Sequence, residues 1–216
     1  MLPFSAEQFI DVFRQYNEAV WPFQIALKVL GAAVAVLLLR PRPWSNGVIA
    51  VALTVLWVWT GVAYHLWHFS AINPAADVFG AGAILAGALF AWHGPVRGRL
   101  RFEQTTGVRF FVGTALIVYA LLVYPQLSGL FGHHYPFTPT FGMPCPTTIF
   151  TVGVLVFMSS PYPRSVLVIP VLWCALGSVA GFALGMLQDL GLLVAGGVGA
   201  VLAFRRQAPS WRGRGL

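Results

Sequence analysis

The sequence predicts an all-α membrane protein, a bundle of about seven transmembrane helices, and three observations support this prediction. Hydrophobic residues make up 58% of the 216 residues and charged residues only 9%, whereas a soluble domain carries about 25% charged residues. Apolar runs recur along the chain, and arginines fall in alternate loops between them. Such a composition argues against a disordered chain, a disulfide scaffold and a soluble enzyme.

The N-terminal residues 1–18 are predicted to form an interfacial amphipathic helix. Apolar and polar side chains alternate there at helical spacing, with Phe9 and Phe13 on one face and charged residues on the other. Ser5 and Gln8 have the spacing of a capping box, which favours a helix start. A helix of this kind lies in the membrane interface or packs over the bundle.

A seven-span transmembrane domain is predicted over residues 19–206, followed by a basic cytoplasmic tail over residues 207–216. The apolar runs are Val20–Leu39, Gly47–Trp67, Ala75–Trp92, Phe110–Phe131, Thr147–Ser159, Ser165–Leu184 and Leu187–Phe204. Tryptophans near the ends of several runs are typical of membrane–water interfaces.

Positive charges predict the orientation of this bundle. Eleven of the thirteen Lys and Arg residues lie in odd-numbered loops or in the tail. They are Arg40 and Arg42 in the first loop, Arg97, Arg99, Arg101 and Arg109 in the third, Arg164 in the fifth, and Arg205, Arg206, Arg212 and Arg214 in the tail. By the positive-inside rule the N-terminus lies outside and the C-terminus in the cytoplasm. The net charge of +7 therefore indicates orientation in a membrane, and no nucleic-acid partner.

The fifth run is too short for an ordinary span. It offers 14 residues between Pro146 and Pro161, or about 21 Å of helix, against a hydrocarbon core of about 30 Å. The preceding stretch, residues 135–146, contains four prolines and cannot be regular helix. We expect a broken segment followed by a short helix, an arrangement that often marks a binding site.

Soft-metal ligands gather on the predicted outer side. His65 and His68 are three residues apart and would share one face of a regular helix, while His133 and His134 lie in the next outer loop and Cys145 in the broken segment. Imidazole and thiolate groups suit ions such as Cu(I) or Zn. These five residues are thus candidate ligands for a soft or borderline metal ion. The alternative is that the histidines only cap helices and bond backbone carbonyls.

The start of the fifth helix is a second candidate site. Thr147 and Thr148 add hydroxyls to the free amides of a first helical turn, which would favour an anion or a polar solute. Cys145 beside them could act as a ligand or a nucleophile. The alternative is a helix start whose prolines and threonines only satisfy the backbone.

Asn73 begins the tripeptide Asn-Pro-Ala before the third run. A water channel needs two such motifs, and this chain has one, so a helix cap is the simpler interpretation. The candidate substrate-binding residues are therefore His65, His68, Asn73, Cys145, Thr147 and Thr148.

Two further features leave alternatives open. Gly177, Gly181 and Gly185 form consecutive GxxxG pairs, which serve internal packing or a homo-oligomer interface. Lys28, within the first run, either extends to the interface or pairs with a carboxylate such as Asp189.

Several stretches together resemble a bacterial membrane protein family known as domain of unknown function 6064. They are Met1–Phe4 with Glu7–Phe9, Tyr16–Asn17, Val20–Pro22, Tyr64–His65 with Ser70–Ala76, and Pro139–Gly142 with Pro144–Phe150. The resemblance covers essentially the whole chain. It implies a polytopic inner-membrane protein and carries no activity with it.

We therefore expect a small transporter or channel-like protein that takes a small solute or soft metal ion through an outward-facing vestibule. One alternative is a membrane-embedded enzyme or redox protein that uses Cys145 and the outer histidines. Another is an accessory subunit of a membrane complex. The expected partners are the lipid bilayer and a small solute or ion.

Overall fold

A computed structural model describes residues 3–207 of the protein, and this part is all-helical. Within residues 3–207 nine α-helices follow one another: α1 Ala6–Val20, α2 Phe23–Leu39, α3 Ser45–Trp59, α4 Ala76–Ala91, α5 Gly107–Val118, α6 Tyr124–Leu130, α7 Pro144–Leu155, α8 Ser165–Leu184 and α9 Leu190–Phe204. The predicted tail beyond residue 207 lies outside the described residues.

Three of these helices continue into π-helical turns. α3 runs on through Thr60–Leu66, α4 through Trp92–Val96, and α5 is joined to α6 by Tyr119–Val123. A π turn changes which residues share a helix face, and such turns are frequent at functional sites.

Five described helical stretches are long and apolar enough to cross a membrane. They are Ser45–Ala71, Ala76–Val96, Gly107–Leu130, Ser165–Leu184 and Leu187–Phe204. α1 and α2 meet at a bend of 89° and would add a sixth if counted as one span. The membrane character of the chain is supported, whereas the predicted number of seven spans is not confirmed.

Part of this shortfall arises at the fifth predicted run. α7 has only 12 residues, and from Pro146 to Leu155 it is buried on every side. It starts three residues earlier and ends four residues earlier than predicted, after a non-helical approach. A helix that is apolar all round belongs in the interior of a bundle, and α7 lies there.

The chain nevertheless continues from α7 to the opposite end of the bundle. The Arg109 guanidinium donates hydrogen bonds to the carbonyls of Val156 and Met158, at 2.7 and 2.9 Å. These carbonyls follow the last helical turn and would otherwise lack partners. Ser159 N–H donates to the carbonyl of Arg101 at 2.9 Å, so the segment ends beside the third loop.

The arginine-bearing loops meet at this end. Arg164 donates to the carbonyl of Arg205 at 2.8 Å, and the Asn46 side chain accepts from Phe102 N–H at 2.9 Å. The fifth histidine, His93, lies here too, 3.0 Å from the hydroxyl of Ser165. The loops that were predicted to share one side of the membrane therefore share one end of the molecule.

α1 covers the other end. Its predicted capping box is present, with Ser5 N–H donating to Gln8 Oε1 at 2.8 Å and Gln8 N–H to Ser5 Oγ at 3.3 Å. Near the bend, the buried Asn17 amide donates to the carbonyls of Pro136 and Thr138 at 2.6 and 2.8 Å. Its carbonyl oxygen accepts from Gln24 at 2.6 Å. Asn17 thus ties α1, α2 and the proline-rich segment together.

Candidate functional site

A cavity of about 280 Å³ lies beneath α1. We call it the aromatic cavity. Its walls come from α1, the π turn after α3, the starts of α4 and α7, the second half of α8 and the residues before α9. The principal lining residues are Phe4, Phe9, Phe13, Tyr64, His65, Phe69, Asn73, Phe79, Tyr124, Cys145, Trp173 and Asp189. Concave sites with apolar walls and a few polar groups are typical of small-molecule binding.

His65 sits within an aromatic cage in this wall. Its ring centroid lies 5.0 Å from that of Trp173, 5.9 Å from that of Phe79 and 5.2 Å from that of Tyr64. The side chain is 1% exposed, and its buried Nδ1 has no hydrogen-bond partner among the described residues. A buried polar atom without a partner is costly, so it is a candidate contact for a ligand.

Asp189 forms the polar end of the cavity with Tyr124. The Tyr124 hydroxyl donates to Asp189 Oδ1 at 2.6 Å, and both side chains are buried. Asp189 ends the 3₁₀ turn Leu187–Asp189 and immediately precedes α9. An ionisable residue inside an apolar bundle marks a functional site by default.

Cys145 and Trp173 meet beside Gly177. A Cβ on Gly177 would lie 3.5 Å from Trp173 Nε1 and 3.8 Å from Cys145 Sγ. The indole N–H of Trp173 is buried and unpartnered within the described chain. The cavity therefore offers a carboxyl, a thiol and an indole donor close to one another.

The cavity opens sideways, between α1 and α8. Leu176 and Val179 line it and are also 53% and 71% exposed on the apolar outer surface of α8. A mouth bordered by such side chains faces lipid in a membrane, because apolar surface of this kind is unsuited to water.

The five predicted metal ligands do not come together. His65 and Cys145 line the aromatic cavity, while His133 and His134 line a separate groove beside α2, and His68 lines neither. Within residues 3–207 no group of three or more His, Cys, Asp and Glu side chains could hold a metal ion. The soft-metal hypothesis therefore has no geometric support in the described chain.

The π turn explains why His65 and His68 separate. Their spacing of three shares a face only in a regular α-helix, whereas Thr60–Leu66 is π-helical and ends before His68. His68 Nδ1 instead lies 2.6 Å from the carbonyl of Ala63, and its ring packs edge-on against Tyr16 at 5.5 Å. This is the capping alternative that the sequence left open.

Thr147 and Thr148 do not reach the aromatic cavity. Both are buried within α7, and their hydroxyls have no partner in the described structure. Because α7 begins at Pro144, two of its first three residues lack an N–H, and Thr147 N–H donates to the carbonyl of Met143 at 3.2 Å. Little remains of the predicted cluster of free amides.

Asn73 serves mainly to start α4. Its side-chain oxygen accepts from Ala75 N–H at 3.0 Å, which forms a turn before the helix. It also lines the aromatic cavity, so it remains a candidate contact. Lys28 does not pair with Asp189 and lies instead in the groove beside α2.

Two glycines of the GxxxG series pack within the chain. A Cβ on Gly177 would lie 2.7 Å from the Leu192 side chain, and one on Gly181 would lie 2.6 Å from Asp189 Cβ. The small residues thus allow α9 and the turn before it to approach α8. As a result, Asp189 and Trp173 both line the aromatic cavity.

Sequence reasoning left Asp189, Tyr124 and Trp173 out of the candidate site. Asp189 carried a signal, an acidic residue at the head of the last apolar run. Tyr124 and Trp173 carried none, because aromatic residues within apolar runs are common and only folding brings these two to the cavity.

The comparisons agree with the resemblance seen in the sequence. No curated protein and no solved structure matches this chain. The family model of DUF6064, described as a family of unknown function, matches residues 6–212, and the chain belongs to that family.

Proposed function

We propose that this protein is an integral membrane protein that takes a small lipid-soluble molecule with a polar head from the bilayer and binds it in the aromatic cavity. The observation that carries the proposal is the combination of apolar walls with unpartnered polar atoms. Trp173 Nε1 and His65 Nδ1 are buried without partners in the described chain, next to the Asp189–Tyr124 pair.

The lining residues suggest the chemistry of the ligand. Rings of Tyr64, Phe69, Phe79 and Trp173 favour a planar aromatic group, since edge-to-face contacts between rings are favourable. Trp173 Nε1 can donate to an oxygen, and Asp189 can accept from a hydroxyl. A hydroxylated aromatic molecule satisfies both. The volume, about 280 Å³, limits the ligand to a small one.

Membrane placement is part of the proposal. We place the arginine-bearing end in the cytoplasm and α1 at the outer interface of a bacterial inner membrane. In this arrangement α7 and its proline-rich approach form a seventh, mostly protein-enclosed crossing. The ligand enters through the mouth between α1 and α8 from the outer half of the bilayer, which suits a carrier or receptor better than an aqueous channel.

Protection of Cys145 from alkylation tests the binding. The chain has two cysteines, so Cys174→Ala leaves Cys145 as the single thiol. Labelling of Cys145 by N-ethylmaleimide is measured in the presence of 4-butylphenol or of butylbenzene. Butylbenzene is the matched ligand without a hydroxyl. We expect the phenol to protect at a concentration about fivefold lower, because one hydrogen bond is worth about 1 kcal/mol and a tenfold change needs about 1.4 kcal/mol.

Two substitutions on α8 provide the control. Ala180 lines the cavity, so Ala180→Phe should abolish protection by filling the cavity. Ala175 is exposed on the same helix and does not line it, so Ala175→Phe should leave protection unchanged. Equal protection by both ligands, or equal effects of both substitutions, would contradict the proposal.

A further inference from the structure

A second concave site, independent of the aromatic cavity, lies beside α2. This groove of about 390 Å³ is bounded by α2, α6 and the proline-rich segment, and it shares no lining residue with the aromatic cavity. Its polar side chains are Gln24, Lys28, Gln126, His133, His134, Tyr135, Thr138 and Thr140. We call it the Lys28 groove.

Lys28 occupies an unusual position. It is the only lysine of the chain and is exposed on α2, five residues after the helix starts, or about 7.5 Å along its axis. Its neighbours Ile25 and Val29 are 52% and 62% exposed, so this face of α2 is apolar. An ammonium group on such a face is costly unless it reaches a polar partner.

The described chain supplies no anionic partner for it. Lys28 forms none of the ion pairs found within residues 3–207, and no Asp or Glu lines the groove. His133 Nδ1 is likewise buried without a partner in this part of the chain. Lys28 and His133 thus line the same groove, together with His134.

We propose that the Lys28 groove binds the headgroup phosphate of an anionic phospholipid. A phosphate oxygen accepts hydrogen bonds and carries a negative charge, which would pair with the Lys28 ammonium group. Ile25 borders the groove and is exposed toward the apolar surroundings, so an acyl chain can continue along α2. Trp21, 57% exposed at the rim, suits the headgroup level.

Lipid titration with native mass spectrometry and thermal unfolding tests this proposal. The full-length protein in detergent is titrated with dioctanoyl phosphatidylglycerol, dioctanoyl phosphatidylcholine and inorganic phosphate. We expect phosphatidylglycerol to bind and to raise the unfolding temperature at a concentration about tenfold below phosphatidylcholine. Inorganic phosphate alone should have no effect, because it cannot use the apolar face of α2.

Variants locate the binding. Lys28→Gln should weaken phosphatidylglycerol binding about fivefold, the effect of one charge near a headgroup, and Lys28→Arg should preserve it. His134→Ala, at an exposed position, tests the same groove should Lys28→Gln fold poorly, and it should weaken binding too. Arg14→Gln is the matched control, since Arg14 pairs with Asp11 and Glu18 on α1 and lies outside the groove.

The proposal is overturned if Lys28→Gln and His134→Ala both bind phosphatidylglycerol as the wild type does, or if Arg14→Gln loses as much affinity. Stabilisation by inorganic phosphate at the same concentration would overturn it as well, by showing a site for a free anion. These outcomes do not depend on the aromatic cavity and can be distinguished from a failure of the proposed function.

Discussion

At the residue scale, several polar side chains buried between the helices hold neighbouring segments through hydrogen bonds. Tyr124 and Asp189 satisfy each other at the end of the aromatic cavity. Tyr119, one π turn earlier, donates at 2.7 Å to the backbone carbonyl of Gln188, the residue before Asp189. Two tyrosines of one helix therefore hold the same turn, one through a carboxyl group and one through the backbone.

Comparing the two hydroxyls measures what the carboxyl contact contributes. Tyr124→Phe removes the tyrosine donor from a buried carboxyl and should lower the free energy of unfolding by about 1–3 kcal/mol. Tyr119→Phe removes a bond to a neutral backbone carbonyl and should cost about 1 kcal/mol. Thermal unfolding in detergent checks both values. Equal losses of unfolding free energy would show that the bond to the carboxyl group contributes no more than the bond to the backbone carbonyl.

Asn17, in the last turn of α1, has a structural task. Its side chain is fully buried and bonds the proline-rich segment and Gln24. Asn17→Ala should destabilise the protein by about 3 kcal/mol, because several buried partners lose their bonds. Gln15→Ala, exposed on the same helix, should change stability by less than about 0.5 kcal/mol. A mild effect of Asn17→Ala would mean that the segment is held by other contacts.

At the element scale, close helix packing decides which residues reach the aromatic cavity. The π turn after α3 keeps His65 in the cavity wall and moves His68 to Tyr16. On the other side, Gly177 and Gly181 let Leu192 and Asp189 approach α8. The site therefore depends on the π turn and on two glycines, which have no side chain to keep the helices apart.

Substitution of the glycines separates internal packing from oligomerisation. Gly181→Ala would bring a methyl group to 2.6 Å from Asp189 Cβ and should destabilise the fold by about 1–3 kcal/mol. Gly197, exposed on α9 with nothing within 4 Å of its Cβ position, is the matched control. Gly197→Ala should be neutral or stabilising by up to about 1 kcal/mol.

Size-exclusion chromatography with light scattering supplies the second readout for these glycines. An intrachain role predicts that Gly181→Ala lowers the unfolding temperature and leaves the molecular mass of the particle unchanged. A change of mass without loss of stability would instead assign Gly181 to an interface between copies.

At the scale of the whole molecule, the two ends differ in chemistry. Four histidines, α1 and both concave sites lie toward one end, while the described arginine-bearing loops meet at the other. α7 and the residues after it connect the two ends through the interior. Its 12 residues span about 18 Å of helix, and the non-helical residues on either side complete the path.

Thiol labelling on intact cells tests this arrangement. In a background of Cys145→Ala and Cys174→Ala, single cysteines are introduced at the exposed positions Ser70, Thr106 and Ser160. A membrane-impermeant maleimide should label Ser70→Cys only, because Thr106 and Ser160 belong to the arginine-bearing end. Labelling of Ser160→Cys from outside would contradict a crossing at α7, and labelling of Thr106→Cys would contradict the orientation itself.

Most of the helices could be predicted from the sequence, because apolar runs, proline breaks and the Ser5–Gln8 capping box are local signals. The site could be predicted only in part. Cys145 and His65 were identified as candidates and do line one cavity. The π turn that separates His65 from His68 has no simple sequence signature. Tyr124 and Trp173 gave no signal, since their neighbours in space are distant in the chain.

The amino-acid sequence by itself determined the apolar character of the chain, its succession of helices and the segregation of charge between alternate loops, since each depends on composition and local spacing. Only the tertiary structure decided that α7 is enclosed by protein, that Gly177 and Gly181 pack inward, and that Asp189, Tyr124, Trp173 and His65 share a cavity. The physical reason is that burial and hydrogen-bond partnership are properties of helix packing. They arise where side chains from remote segments meet, and no local pattern encodes those meetings.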